Sequence, residues 1–387
     1  MPPAEKIIFV PFIYAFGGVE RLVLALSHYL HEHHCSHSVV CFNQTIDFAS
    51  YADWPLTVHE IQPRRNPLVE GWALNRYLQA AYAKGSPPAL LFDLKGAFYA
   101  GMFLPSGFFL HLTDPPSLLP SETSKNAPSA RKKYSPCAKA KWPGMIKTAR
   151  AEIVHRINQR GVRRAASVIT MTNSITAELR DLYGVEGQVI RPGVKMPRTQ
   201  PPLGQLCGNH MRILSVCRLE SKKRIEWILR ALAELESSTP PLSKRVNWTF
   251  EIVGEGSQRE NLRSLAKHLG LSERTVFHGR VSDARLEELY LDANLFLMPA
   301  VQGYGLPALE ALARGIPVVL HRESGVAEIL SGTPWVEILD NGSESLSASI
   351  SRMVGRLING EFLKHPLPTF PTEADWAQNI CRVCRWV

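Results

Sequence analysis

Short runs of aliphatic and β-branched residues alternate along the chain with longer runs whose apolar positions recur every three or four residues. That rhythm predicts parallel sheets flanked by helices, an α/β architecture. In the first half, residues 6–11, 37–42, 89–94, 107–112 and 167–172 read as strands, and 19–33 reads as a helix. In the second half, strands are expected at 212–218, 248–254, 276–281, 295–300 and 317–320. Between them Ile225, Ile228, Leu229, Leu232 and Leu235 lie at helical spacing, as do Leu262, Leu265 and Leu269.

The rhythm breaks at 192–210, a stretch rich in proline and glycine with no hydrophobic period. It breaks again at 365–371, HPLPTFP. The expected organisation is an N-terminal domain over 1–195, a second domain over 196–368 and a closing helical segment over 369–387. A length of 387 residues suits two or three domains, and 45% hydrophobic with 20% charged residues excludes a disordered or fibrous chain. No apolar run reaches the roughly 18 residues of a spanning helix, since 88–112 is interrupted by Asp93, Lys95 and Pro105. The N-terminus lacks the pattern of a secretion signal, so a cytoplasmic location is expected. Seven cysteines, odd in number and scattered, agree with a reducing compartment. Cys381 and Cys384 form one C-x-x-C without a second pair, which favours packing over zinc.

Net charge is +9, and its location matters more than its size. Residues 125–164 hold twelve basic residues against one acidic residue, Glu152. The first part reads as a loop. From Met145 onward, Ile146, Ala149, Ile153 and Ile157 share one face, with Lys147, Arg150, Arg156, Arg160 and Arg163 largely elsewhere. This is a basic amphipathic helix, suited either to an anionic membrane surface or to an ordinary domain helix with a solvated face. With Tyr134 and Trp142 its only aromatics and no binding module, nucleic acid is not expected as a partner.

Ligands of open parallel sheets bind where strands end and helices begin, because helix N-termini favour anions. Three such loops stand out. Gly17 and Gly18 precede the first helix and serve either turn geometry or close approach to a ligand. Arg218 leaves a strand with Lys223 five residues on, two cations beside a helix start that call for an anion between them. The run 298–319 has a turn at Gly303 and Gly305, Pro307 in a first helical turn and Glu310 one turn further, placed to accept ribose hydroxyls.

These residues carry a family resemblance. VCRLESKK, EIVGEGSQRENL, VFHGRV, QGYGLPALEALARGIPVV and SGVAEIL follow one another over about 120 residues. Together they resemble the C-terminal domain of family-4 glycosyltransferases of group 1 type. FGGVERLVLALSHYL, HLTDPPSLL, TMTNSITAELRDLYG and VIRPGV resemble the N-terminal half more loosely. The resemblance implies the GT-B fold, two Rossmann-like domains facing each other across a cleft, and a retaining, metal-independent transfer with no cofactor. It implies that Arg218 and Lys223 hold the donor diphosphate, and that Gly254, Gly303, Tyr304, Gly305, Leu306 and Glu310 contact the donor nucleotide sugar. Gly17 and Gly18 would face the diphosphate and sugar, and His111, a strand-end histidine equally satisfied by backbone, would line the catalytic centre.

Three positions depart from the family pattern. Gln302 stands where the family has a glutamate facing the donor sugar, Cys217 replaces a glycine, and Ser324 replaces a loop glycine. An amide at 302 still bonds a hydroxyl but carries no charge. The expected activity is transfer of a hexose, mannose among the candidates, from a nucleotide diphosphate sugar to a glycan or lipid-linked acceptor, as in lipopolysaccharide, polysaccharide or glycolipid synthesis. A nucleotide-sugar 2-epimerase of the same fold and a catalytically weak nucleotide-sugar-binding scaffold are the alternatives. The lipid-linked acceptor would suit a protein resting on the inner face of the cytoplasmic membrane.

Overall fold

The computed structural model describes residues 5–14, 16–61, 66–104, 107–118, 144–197, 206, 208–340 and 343–386, apart from the side chains of 118, 144–150 and 343–345. The chain divides into two compact units, one of residues 1–192 with 373–387 and the other of 193–372.

The first unit runs β1 (Lys6–Phe9), β2 (Phe12–Ile13), α1 (Gly18–Glu32), β3 (His37–Cys41), β4 (Asn43–Gln44), β5 (Val58–Glu60), α2 (Pro67–Ala83) and β6 (Ala89–Phe92). It continues through α3 (Asp93–Phe103), β7 (Phe108–Leu112), α4 (Gly144–Arg164), β8 (Ser167–Thr170), α5 (Asn173–Tyr183) and β9 (Gln188–Val189). Among the described residues its main sheet has seven parallel strands in the order β5-β3-β1-β6-β7-β8-β9, with β2 and β4 forming a separate parallel pair. The middle strand β6 is apolar and buried at all four residues, as a strand covered on both faces is.

The second unit begins with β10 (His210–Val216), α6 (Ile225–Glu236), α7 (Leu242–Arg245), β11 (Asn247–Val253), α8 (Arg259–His268) and β12 (Thr275–Gly279). It goes on with α9 (Asp283–Asp292), β13 (Leu295–Met298), α10 (Leu306–Ala313), β14 (Val318–His321), α11 (Ala327–Leu330), β15 (Val336–Leu339) and α12 (Ser343–Ile358). Its described sheet has six parallel strands in the order β12-β11-β10-β13-β14-β15. The helical spacing read in α6 is its core face: Ile225, Ile228, Leu229, Leu232 and Leu235 are all buried, each contributing about 2 kcal/mol by leaving water.

The last helix, α13 (Glu373–Cys384), returns to the first unit, where it packs against α1. Trp376, Ala377, Ile380, Cys381 and Cys384 form its buried face. Burial raises the Cys381 thiol to about 12 and pushes that of Cys384 up as well. No helix among the described residues is long and apolar enough to cross a membrane.

Two local expectations are corrected. The strand expected to reach residue 94 ends at Phe92, because Asp93 takes a left-handed conformation (φ +61°) and starts α3. In α4, Ile153 points outward at 58% exposure, whereas Ala151, Asn158, Gly161 and Val162 are buried. Backbone proximity dictates that choice of face: a Cβ on Gly161 would lie 1.9 Å from the Ala97 carbonyl oxygen of α3, and one on Gly101 would lie 2.0 Å from that of Ile157. The loop part of the basic segment, 125–143, lies outside the described residues, as do the side chains of Ile146, Lys147, Ala149 and Arg150.

Candidate functional site

Three neighbouring strands of the second unit, β10, β13 and β14, end side by side, and the loops leaving their carboxyl ends are knitted together. The Val301 N–H donates to the Lys222 carbonyl at 2.9 Å, joining the loop after β10 to the loop after β13. The Gln302 N–H donates to the Glu323 carbonyl at 3.2 Å, and the Gly325 N–H returns to the Gln302 carbonyl at 3.2 Å, which joins the loop after β13 to the loop after β14.

Side chains complete the junction. Lys223 Nζ donates to Gln302 Oε1 at 2.6 Å. Gln302, 9% exposed, uses its Nε2 on Ser324 Oγ at 3.0 Å and Met298 Sδ at 3.3 Å. Ser324 Oγ in turn donates to the Tyr304 carbonyl at 3.0 Å. The three departures from the family pattern therefore divide: Gln302 and Ser324 are bonded to each other, while Cys217 lies one strand away. The Cys217 N–H donates to the Val253 carbonyl at 3.0 Å, and burial raises its thiol to about 11.

The other residues expected to contact the donor differ in exposure. Arg218 is exposed and ion-paired with Glu220 at 3.2 Å; Glu220 also lies 3.7 Å from Lys222. Gly303, Tyr304 and Gly305 are buried and Leu306 is half-buried. Gly305 caps α10 with φ +121°, a conformation that disfavours side chains. The Glu310 carboxylate, half-buried, accepts from the Tyr290 hydroxyl at 2.9 Å. Gly254 (φ +129°) owes its identity to backbone: a Cβ there would fall 1.9 Å from the Cys217 carbonyl oxygen.

In the first unit, the Gly17 N–H donates to the Glu20 carboxylate at 3.0 Å, so that amide is already taken by an acidic side chain. Nothing crowds a Cβ at Gly18, which is exposed. His111 is wholly buried, stacked on Phe92 at 5.0 Å and met edge-on by Trp376 at 5.8 Å. Neither ring nitrogen has a hydrogen-bond partner, and burial lowers its pKa to about 3, so the ring is neutral. Asp93 was not anticipated. Its Oδ1 accepts the Thr113 N–H at 3.2 Å and the Thr113 hydroxyl, and burial raises its pKa from 3.8 to about 6. The only signal in the sequence is a carboxylate closing the apolar run ALLF.

The family model for glycosyl transferases group 1 matches residues 207–353, a span that includes all three knitted loops. The similarity to group 1 glycosyltransferases is carried by this second unit. An uncharacterized glycosyltransferase of Methanocaldococcus jannaschii is 37% identical over 119 residues, covering 30% of this chain and 29% of that protein. A GDP-mannose-dependent phosphatidylinositol monomannoside mannosyltransferase of Mycolicibacterium smegmatis is 30% identical over 221 residues, 52% of this chain and 56% of that one. The chain thus matches about half or less of the length of these curated relatives. Among solved structures, an Anabaena protein in complex with UDP and glucose has a TM-score of 0.67 at 16% identity, covering 99% of this chain and 100% of the other. A lipopolysaccharide outer core galactosyltransferase has a TM-score of 0.66 at 14% identity, with the same coverage. At those identities the likeness is one of fold, and that fold is GT-B.

Proposed function

We propose that the protein is a retaining glycosyltransferase that moves a hexose from a nucleotide diphosphate sugar to a glycan or lipid-linked acceptor. The observation that carries this reading is the contact of Lys223 with Gln302, on loops at the carboxyl ends of adjacent parallel strands, with Arg218 on the same rim. An anion bound there gains two cations and the N-terminus of α10. In the reaction, the bond from the anomeric carbon to the diphosphate oxygen breaks and the acceptor oxygen bonds on the same face. The acceptor's proton passes to the departing diphosphate. Arg218 and Lys223 stabilise the charge that develops on that leaving group, the part a divalent metal plays elsewhere, so the reaction needs no cofactor.

The names of the relatives supply candidates for the partners. One is GDP-mannose-dependent and acts on a phosphatidylinositol mannoside, one solved neighbour holds UDP and glucose, and another is a lipopolysaccharide galactosyltransferase. These support a mannose or glucose-type donor and a lipid-linked acceptor, used on the cytoplasmic side. Ile153, Arg156 and Arg160, all exposed along α4, would meet an anionic membrane surface.

The test is thermal stability against UDP, GDP, ADP, dTDP and their common sugars. A ligand at 100 times its dissociation constant adds about 2.7 kcal/mol. One nucleotide should raise Tm in the wild type and not in Lys223→Ala. If none does so, the protein is no sugar-nucleotide transferase.

A further inference from the structure

Lys223 is followed by a residue in an unusual state. Arg224 has φ +55° and ψ +34°, the left-handed conformation that glycine adopts freely and a residue with a Cβ adopts at a cost. It ends the short 3-10 turn carrying Lys222 and Lys223 and caps α6. Residues held this way persist where surrounding contacts over-determine them. Here the contacts are explicit. The Arg224 guanidinium, only 8% exposed as a residue, donates to the Glu323 carboxylate at 2.6 Å and the Pro299 carbonyl at 3.4 Å, and lies 4.3 Å over the Trp227 ring.

Each partner belongs to a different segment. Pro299 is in the loop after β13 that bears Gln302, and Glu323 is in the loop after β14 that bears Ser324. Glu323 is itself fixed: its N–H donates to His321 Nδ1 at 3.2 Å, and its carbonyl accepts the Gln302 N–H. One buried cation therefore spans the three loops whose side chains meet at Lys223 and Gln302. Its charge is matched by Glu323, whose carboxylate is itself exposed, as that of Arg218 is matched by Glu220 at the rim.

We propose that Arg224 is the positioning residue of this site, clamping the three loops through Glu323 and Pro299 so that the Lys223 ammonium is held on Gln302 for the donor diphosphate. The inference rests on the transferase reading above. Arg224 does not touch the donor; it acts through Lys223.

Arg224→Gly separates positioning from folding, because glycine suits the left-handed backbone while the clamp is lost. Release of UDP from UDP-glucose and of GDP from GDP-mannose is followed in the wild type, Arg224→Gly, Glu323→Gln, the double variant, and Arg224→Gly in a Lys223→Ala background. Arg224→Gly should keep its Tm within a few degrees and lose at least about tenfold in kcat/KM, as a displaced catalytic group does. Glu323→Gln should fall similarly, the double variant no further than the worse single, and Arg224→Gly should add nothing once Lys223 is alanine. Full turnover in Arg224→Gly overturns the proposal. So does a further loss in the Lys223→Ala background, or turnover that falls only as far as Tm does, since either marks a structural residue. A wild type that neither binds nor turns over either donor removes the transferase reading, and this inference with it.

Discussion

Lys223 donates to Gln302 Oε1 at 2.6 Å, a cation held by a neutral amide at a place where the family resemblance leads one to expect a carboxylate. The amide accepts from the ammonium without adding a negative charge of its own. Gln302→Glu would make an ion pair of this contact. The new carboxylate would also turn Ser324 Oγ, which now donates to the Tyr304 carbonyl, back toward position 302. Nucleoside diphosphate affinity in Gln302→Glu should drop roughly tenfold, about 1.4 kcal/mol. Raising the salt concentration should narrow the gap. Titration calorimetry with UDP and GDP measures it, and tighter binding would mean that the carboxylate assists rather than competes.

Gly254 is expected to be a folding residue before it is a binding one. A methyl group there meets the Cys217 carbonyl oxygen at 1.9 Å, on a backbone at φ +129°. Neither β10 nor β11 has room to move, since they pair along seven residues in register from His210 with Asn247 to Val216 with Val253. Gly254→Ala should cost about 2 kcal/mol or more in stability. Denaturant unfolding is the check. An unchanged midpoint would mean that the loop after β11 yields.

Gly161 tests the other unit. Its α-carbon approaches Ala97 of α3, and Gly101 of α3 approaches Ile157, so the two helices touch backbone to backbone. Gly161→Ala should destabilise the first unit by about 2 kcal/mol despite alanine's better helix propensity. A gain in Tm would show that propensity outweighs contact and that the helices can separate.

These examples mark where the sequence was readable. Repeated apolar spacing gave α6, which buries one face, and short aliphatic runs gave the strands, of which β13 and β14 are buried along their whole length. Loop residues such as Lys223 and Gln302 were reached through motif order. Arg224 and Glu323 were not, because their pairing joins positions 99 residues apart and neither sits in a periodic element. The exposed face of α4 was misread for a related reason. A helix packed through glycine leaves its isoleucines to look like the buried side when one of them, Ile153, is outside. The strands β2, β4 and β9, two residues each, are too short to show alternation at all.

Two titratable groups of the first unit, Asp93 and His111, should give opposite pH dependences of stability. Asp93, raised from 3.8 to about 6, holds its proton more tightly folded than unfolded. Between those values the folded state binds more protons, so stability falls as pH rises from about 4 to 6 and is level above. His111, lowered from 6.5 to about 3, is neutral when folded and charged when unfolded in the same window, so its contribution is lost as pH falls. The wild-type curve therefore conceals both. Asp93→Asn keeps an oxygen for Thr113 but cannot ionise; its Tm relative to wild type should climb by a few degrees between pH 4 and 6.5. His111→Phe keeps a ring against Phe92 and Trp376 without the two unpaired nitrogens; its advantage should grow in the other direction, from pH 6.5 down to 4. Scanning calorimetry of the three proteins across that range decides. Parallel curves would mean that neither group is held in its neutral form by the fold, and that Asp93 ionises in place beside Thr113.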